Sequence, residues 1–195
     1  RGDFRDRPAI NLQLFTTSFL SDLEIKFNEK LKTNSGIMVR YQNNNSLPGT
    51  GVRPLIPDFN RFELGTYFVS NLELGKDSEL SAGIRYDFAN IDATKTYNRT
   101  DWDETYGYNI LFPEFEVNRV NTRVNTNANF TFHNISGSLG FSKTWDDQLN
   151  LLINYGLASR MPNPSELFSD GLHHSAARIE IGQLTIEKEI ANKFA

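Results

Sequence analysis

Glu166, Asp170, His173 and His174 fall within nine residues of one another in a stretch broken by Pro162, Pro164 and Gly171. Imidazole and carboxylate are donor types that hold divalent metals, and histidine is the commonest such ligand. Successive residues of an extended chain point to opposite faces, so His173 and His174 do not close on one ion as a pair. With Asp170 they form a candidate metal set; the competing reading is that both imidazoles pack the loop. Arg160 and Arg53 are guanidinium groups in or beside Pro-containing loops, and guanidinium meets carboxylate or phosphate oxygens bidentately. Arg53 is a candidate for gripping an anionic chelate, and Arg160 for facing an interior lumen and lining the path of a cargo. The plainer alternative has Arg160 paired with an interior carboxylate while proline fixes φ and ends a strand, and has Pro48, Gly49, Gly51 and Pro57 shaping a surface loop.

A third cluster is aromatic: Tyr97, Trp102, Tyr106, Tyr108, Phe112 and Phe115, with Asp101, Asp103 and Glu104. Such rings can stack on a sugar or an aromatic chelator. The reading preferred here is a small core of the loop itself, or part of an interfacial girdle. Catalysis is not expected. Asp146-Asp147 sits in a turn, where paired carboxylates are solvated rather than poised for proton transfer. Gly-x-Ser-x-Gly, His-Glu-x-x-His and a phosphate loop are missing from the sequence, and no cofactor is expected.

Composition narrows the class further. The 195 residues carry no cysteine, so disulfides and Cys-ligated metal are excluded. A net charge of −4 and a pI near 5.4 argue against a nucleic-acid partner. No run of ~18 apolar residues would make a membrane helix, but a barrel strand crosses with about 10 residues and shows half of them to lipid.

The elements that must position these residues are strands. Phe62, Leu64, Thr66, Phe68, Ser70, Leu72 and Leu74 alternate with Glu63, Gly65, Tyr67, Val69, Asn71 and Glu73. After the turn Gly75–Asp77, Leu80, Ala82, Ile84, Tyr86 and Phe88 alternate with Ser81, Gly83, Arg85 and Asp87. That is a long antiparallel hairpin with an apolar and a polar face. Strands of about a dozen residues, against ~5–6 in soluble sheets, suit a barrel with a wet lumen and a lipid-facing wall. The pattern recurs from Ile10 to Tyr41 and from Ile135 to Leu157. Tight turns are expected at Thr33–Ser35, Gly75–Asp77 and Asp146-Asp147, alternating with long links at about 43–60, 89–129 and 160–177. In outer-membrane barrels short turns face one side and long loops the other.

Several segments resemble the β-barrel of TonB-dependent outer-membrane receptors. RMPNPSEL, GLHH and EIG, between Arg160 and Gly182, look like that family's late Arg-x-Pro-x-x-x-Glu-Leu, Gly-x-His-His and Glu-x-Gly elements. LSAGIRYDF, Leu80 to Phe88, is similar to its Gly-x-Arg-Tyr-Asp strand end. Tyr41 to Phe68 looks like its Asn-rich loop followed by a strand. The resemblance implies an all-β, antiparallel up-and-down meander, here about eight long strands forming an arc of a 22-stranded transmembrane barrel. Residues 1–195 then read as an internal part of a longer protein, with the plug domain and remaining strands outside it.

The implied function is energy-coupled uptake of a scarce nutrient, a metal chelate or a metal ion, with outer-membrane lipid around the wall. A TonB-type energy-transducing protein would act through the N-terminal part outside this chain. Arg53, Arg160, Glu166, His173 and His174 are the cargo-facing candidates. Two rivals are a purely structural arc of wall and a soluble all-β carbohydrate-binding module using the aromatics of 97–115. An isolated arc exposes unpaired strand edges and an apolar outer wall, so it is expected to need detergent, to pair its edges with another copy, or to belong to a larger assembly.

Overall fold

The computed structural model describes residues 11–47, 54–145, 149–173 and 178–195. Ten strands follow in order: β1 (Leu12–Lys26), β2 (Leu31–Ser46), β3 (Asp58–Glu73), β4 (Ser78–Asn98), β5 (Glu116–Val120), β6 (Arg123–Trp145), β7 (Leu149–Arg160), β8 (Asp170–His173), β9 (Arg178–Ile181) and β10 (Glu189–Phe194). Eight form one antiparallel sheet in the order β1-β2-β3-β4-β6-β7-β10, with β5 also on β6. The expected meander of about eight strands is thus what forms. The β8–β9 hairpin is the other sheet among the described residues. It has four residues per strand, too few to face the main sheet as half of a sandwich.

Register divides the sheet into two faces. Across four strands the rows Tyr41–Phe62–Asn90–Thr131, Ile37–Thr66–Tyr86–Ile135, Ser35–Phe68–Ile84–Gly137 and Leu31–Leu72–Leu80–Phe141 lie on one side. Phe62, Phe68, Ile84, Ile135 and Leu139 on that side are all exposed, Ile84 by 59%. The opposite side carries Arg40, Arg61, Glu63, Arg85 and Asp87. Its Arg61 and Arg40 both reach Glu63, at 2.7 and 3.4 Å, and Arg85 Nε donates to Asp87 at 2.8 Å. A sheet that shows its hydrocarbon outward and pairs its charges inward is inverted relative to a soluble protein. It fits a wall between lipid and water.

Glycines serve this inner face at two points. A Cβ at Gly36 would stand 2.5 Å from the Tyr67 ring, and one at Gly65 would stand 2.7 Å from the Arg85 guanidinium. Without side chains there, Tyr67 lies across the neighbouring strand to donate to Asp22, and Arg85 lies flat beside Asp87.

Three boundaries differ from expectation. The first tight turn is at residues 27–30, where the Asn28 side chain accepts from Lys30 N (2.8 Å) and Leu31 N (2.9 Å); Thr33 and Ser35 lie inside β2, opposite Ile25 and Leu23. The long link at 89–129 is largely strand. Ala89, Ile91 and Ala93 keep alternating with Asn90, Asp92 and Thr94; all three are buried, Ile91 and Ala93 beneath a returning loop, which sustains β4 to Asn98 and β6 from Arg123. The strand at 178–181 joins the small hairpin rather than the wall, and β10 takes the place beside β7. Asp146-Asp147 lies outside the described residues. Among the described residues, the first two tight turns thus fall at 27–30 and 74–77.

Ile84 sits midway down the apolar band, so Ile84→Arg should cost about 2–4 kcal/mol in a bilayer. Ser138→Arg, on the water-filled side, should cost far less. Urea unfolding titrations of the two variants in lipid vesicles compare them.

Candidate functional site

All the nominated residues that the structure describes gather at the long-loop end of the sheet. The core lies here too, and it is a core of loops against strands. Trp102, Tyr108 and Phe115 from the segment after β4 are buried with Leu167, Phe168 and Leu184 against Ile91, Ala93, Val124 and Ala128 of the inner face. Ring contacts run Tyr97–Trp102 (5.0 Å), Trp102–Tyr108 (5.4 Å), Phe112–Phe115 (5.2 Å) and Phe130–Phe168 (6.1 Å). The aromatic loop therefore makes its own core, as preferred above, roofing the extended β4–β6 hairpin. Arg119 holds the roof's flank, with Asp103 at 2.6 Å and Glu116 at 2.6 Å.

Arg160, the last residue of β7, faces the interior and is brought together with Glu166. Its Nη1 and Nη2 donate to the two Glu166 oxygens at 3.0 and 2.9 Å, while its Nε donates to Glu189 of β10 at 3.0 Å. Glu166 in turn accepts from Asn163 N at 2.9 Å, and Asn163 Oδ1 accepts from Ser165 N and Glu166 N at 3.0 Å. This capping box, with Pro164 in the first turn, makes the short helix Pro164–Phe168. The helix turns Leu167 and Phe168 into the core.

The segment from 182 closes onto that helix. Gln183 N donates to Glu166 O (2.9 Å), Gly182 N to Ser169 O (2.7 Å) and Leu184 N to the Tyr108 hydroxyl (3.0 Å). A Cβ at Gly182 would lie 2.6 Å from the backbone at Leu167 and Phe168. The RMPNPSEL and EIG segments are thus two halves of one buckle.

Asp170, nominated for metal, is 3.5 Å from the ammonium of Lys95. The Lys95 side chain is only 7% exposed and also donates to Phe168 O at 3.0 Å, with the Tyr97 ring 4.3 Å away. Nothing about Lys95 stood out in the sequence. The signal was its inward position between Ala93 and Tyr97. Glu189 was missed as well; the opposite charges two apart at Arg61/Glu63 and Arg85/Asp87 were readable as same-face pairs. His173 contributes its backbone to β8, opposite Arg178. Arg53 and His174 lie outside the described residues. Among the described residues no group of three or more His, Asp or Glu is placed to hold a metal ion. A cavity of about 460 Å³ opens among Ser46, Pro54, Pro57, Thr94, Lys95, Tyr97 and Phe168, at the rim between the strand ends and the returning loops.

Charge partners set the protonation of this end. Hydrogen bonds from Arg160 hold the Glu166 carboxyl below the usual carboxylate range, against the opposing effect of burial. Hydrogen bonds from Arg119 do the same for Asp103. Both carboxylates are depressed on folding, so their contribution is complete above the unfolded carboxylate pKa and is lost as pH falls through the folded one. The loops should therefore stay closed at neutral and mildly acidic pH. Limited proteolysis at 161–188 should accelerate only in stronger acid, and Glu166→Gln should remove most of that acid dependence. Trp102→Ala should loosen the roof by about 3–5 kcal/mol, read as faster hydrogen exchange in 99–115 with the sheet unchanged.

Residues 3–193 match the family described as TonB dependent receptor-like, beta-barrel. Among curated proteins, none matches the chain in sequence. Among the solved structures that share the fold are a receptor and a transporter. One is a double mutant of the Serratia marcescens hemophore receptor HasR, in complex with its hemophore HasA and heme. It has 16% identity over 94% of this chain and 29% of that one, with a TM-score of 0.61. The other is the copper transporter OprC, with 14% identity over 94% of this chain and 28% of that one, and a TM-score of 0.65. The chain thus spans less than a third of either.

Proposed function

This chain belongs to the TonB-dependent receptor β-barrel family of the bacterial outer membrane, and we propose that it forms part of the wall and outer rim of a receptor for energy-coupled uptake of a scarce nutrient, with a metal chelate or metal ion as cargo. The observation that carries the reading is the loop roof packed on the inner face at the long-loop end, beyond the charge pairs Arg61–Glu63 and Arg85–Asp87. A rim built this way can hold cargo above a hydrated lumen. The solved relatives, a hemophore receptor bound to heme and a copper transporter, favour scarce-metal cargo.

The cargo-facing candidates remain Arg53, Arg160, Glu166, His173 and His174, with His173, His174 and Asp170 for a bare ion. Pro54, next to Arg53, lines the rim cavity. Energy would enter through a TonB-type partner acting on parts of the receptor outside this chain. The purely structural reading keeps one specific support: Arg160 already spends its guanidinium on Glu166 and Glu189.

The two readings part in a binding titration of the receptor that carries this chain, with a ferric chelate, zinc and copper as probes. If the rim holds cargo, His173→Ala/His174→Ala or Arg53→Ala should weaken one probe about tenfold, or 1.4 kcal/mol. Unchanged affinity and uptake in every variant would leave only the wall.

A further inference from the structure

The column of sheet beside β6 is filled at both ends and open between. β7 pairs with β6 from Gly137 to Trp145, and β5 pairs with the same edge of β6 from Arg123 to Thr126. Both run antiparallel to β6, so they lie in one line and point the same way. Between them, among the described residues, 127–136 have a ladder partner on the β4 side alone. Side-chain bridges close the lower end of the gap. Ser136 Oγ accepts from Ser159 N at 3.0 Å, and the Asn134 amide, turned to satisfy both its ends, spans Ser159 Oγ (3.2 Å) and Met161 N (2.9 Å). What is left is a slot along residues 127–133, about 23 Å at 3.3 Å per residue. We propose that it takes an extended segment of a separate protein at the cell surface, which joins the sheet as the missing strand.

The backbone is aimed for this. At the two ends of the β4–β6 ladder Arg99 N donates to Thr122 O and Thr144 N to Asp77 O. In an antiparallel pair each residue turns its N–H and C=O to the same side, so the even residues of β6 serve β4. Its odd residues, Asn127, Asn129, Thr131 and His133, turn theirs toward the slot. Lys188 Nζ reaches His133 O from that side, at 3.5 Å. Bare strand edges in natural sheets are guarded by lysine, proline or a bulge. Asn127 to His133 contains neither lysine nor proline, and its register with β4 is unbroken.

Position and side chains select the occupant. The outward residues are apolar up to Leu157 on β7 and up to Ile135 on β6; Ser159 and His133 come next. The slot therefore opens just outside the lipid band, within reach of a soluble protein. That placement rests on the membrane-wall reading, whereas the slot itself does not. Inward residues of a guest strand would meet Phe130 and Phe132, which pack on the loop core, and outward ones would meet Asn129 and Thr131. A segment alternating apolar with polar residues suits both. A second receptor does not fit: strands tilted near 40° in two upright barrels that face each other cross at about 80°, too steep for a ladder. The receptor's following strands lie beyond β10, which already stands on the far side of β7.

Residue-level hydrogen exchange on the receptor that carries this chain tests the slot. In the free receptor the amides of 129 and 131 should exchange at least about tenfold faster than those of 128, 130 and 132. The probe is a fluorescent heptapeptide alternating threonine and valine, with its fully N-methylated analogue as control. The peptide should slow 129 and 131 about tenfold and leave the even amides as they were. Asn129→Pro removes a slot-facing N–H and spares the β4 ladder, a placement that edge strands tolerate. It should weaken peptide binding about tenfold with the even amides still slow. Thr131→Lys, a guard of the kind natural edges carry, should do the same and does not depend on how proline folds.

Amides 129 and 131 as slow as their neighbours in the free receptor would mean that the receptor fills its own slot, and would overturn the proposal. So would the absence of protection by the peptide, or equal binding of the N-methylated analogue, which is apolar adhesion only. Protection that appears without peptide and grows with receptor density would mean a second copy, and overturns it too. Protection in detergent that is lost when peptide is added outside sealed outer-membrane vesicles would overturn the surface placement. That result counts against the membrane-wall reading and leaves the ladder geometry standing, so the two failures are told apart.

Discussion

Inside a bilayer an unpaired backbone amide or carbonyl has no water to turn to, and the architecture of this chain follows from that constraint. Long strands in continuous antiparallel register satisfy the backbone across β1, β2, β3, β4 and β6. Because the ladder must not break, side-chain alternation stays in phase from strand to strand, and one slip would send charges into lipid. The inner face then collects Arg40, Arg61, Glu63, Arg85 and Asp87 on neighbouring strands, where they neutralise one another. Gly36 and Gly65 let the largest of the inner side chains lie along the wall instead of projecting from it.

Above the apolar band the constraint relaxes and a different one takes over. Strands that continue beyond lipid need a partner for their inner face, and the two long loops supply it. Trp102, Tyr108, Phe115, Leu167 and Phe168 bury Ile91, Ala93 and Val124, so β4 and β6 hold together well beyond the bilayer. The Arg160–Glu166–Glu189 clamp and the close packing of Gly182 tie the second loop to the strand it leaves and to the strand it enters. A roof folded in advance leaves less ordering to be done when something binds beneath it. The residues that most look chemical, Arg160 and Glu166, are also those that hold this roof in place.

The alternation of Phe62 to Leu74 and Leu80 to Phe88 and the length of those runs determined the class from sequence alone, because a period of two is a local property that needs no knowledge of neighbours. The aromatic loop's own core was legible for a similar reason: six rings in some twenty residues seek one another. The turn at 27–30 was readable in principle from Asn28, but the hydrogen bonds that reveal it depend on closure. Only the tertiary structure decided that β4 and β6 extend past the membrane, that 178–181 leaves the wall to β10, that Lys95 is buried against Phe168, and that Arg160 meets Glu189 across twenty-nine residues of chain. Those outcomes turn on which loop folds back over which strand. Contacts between segments distant in sequence leave no periodic trace in either one.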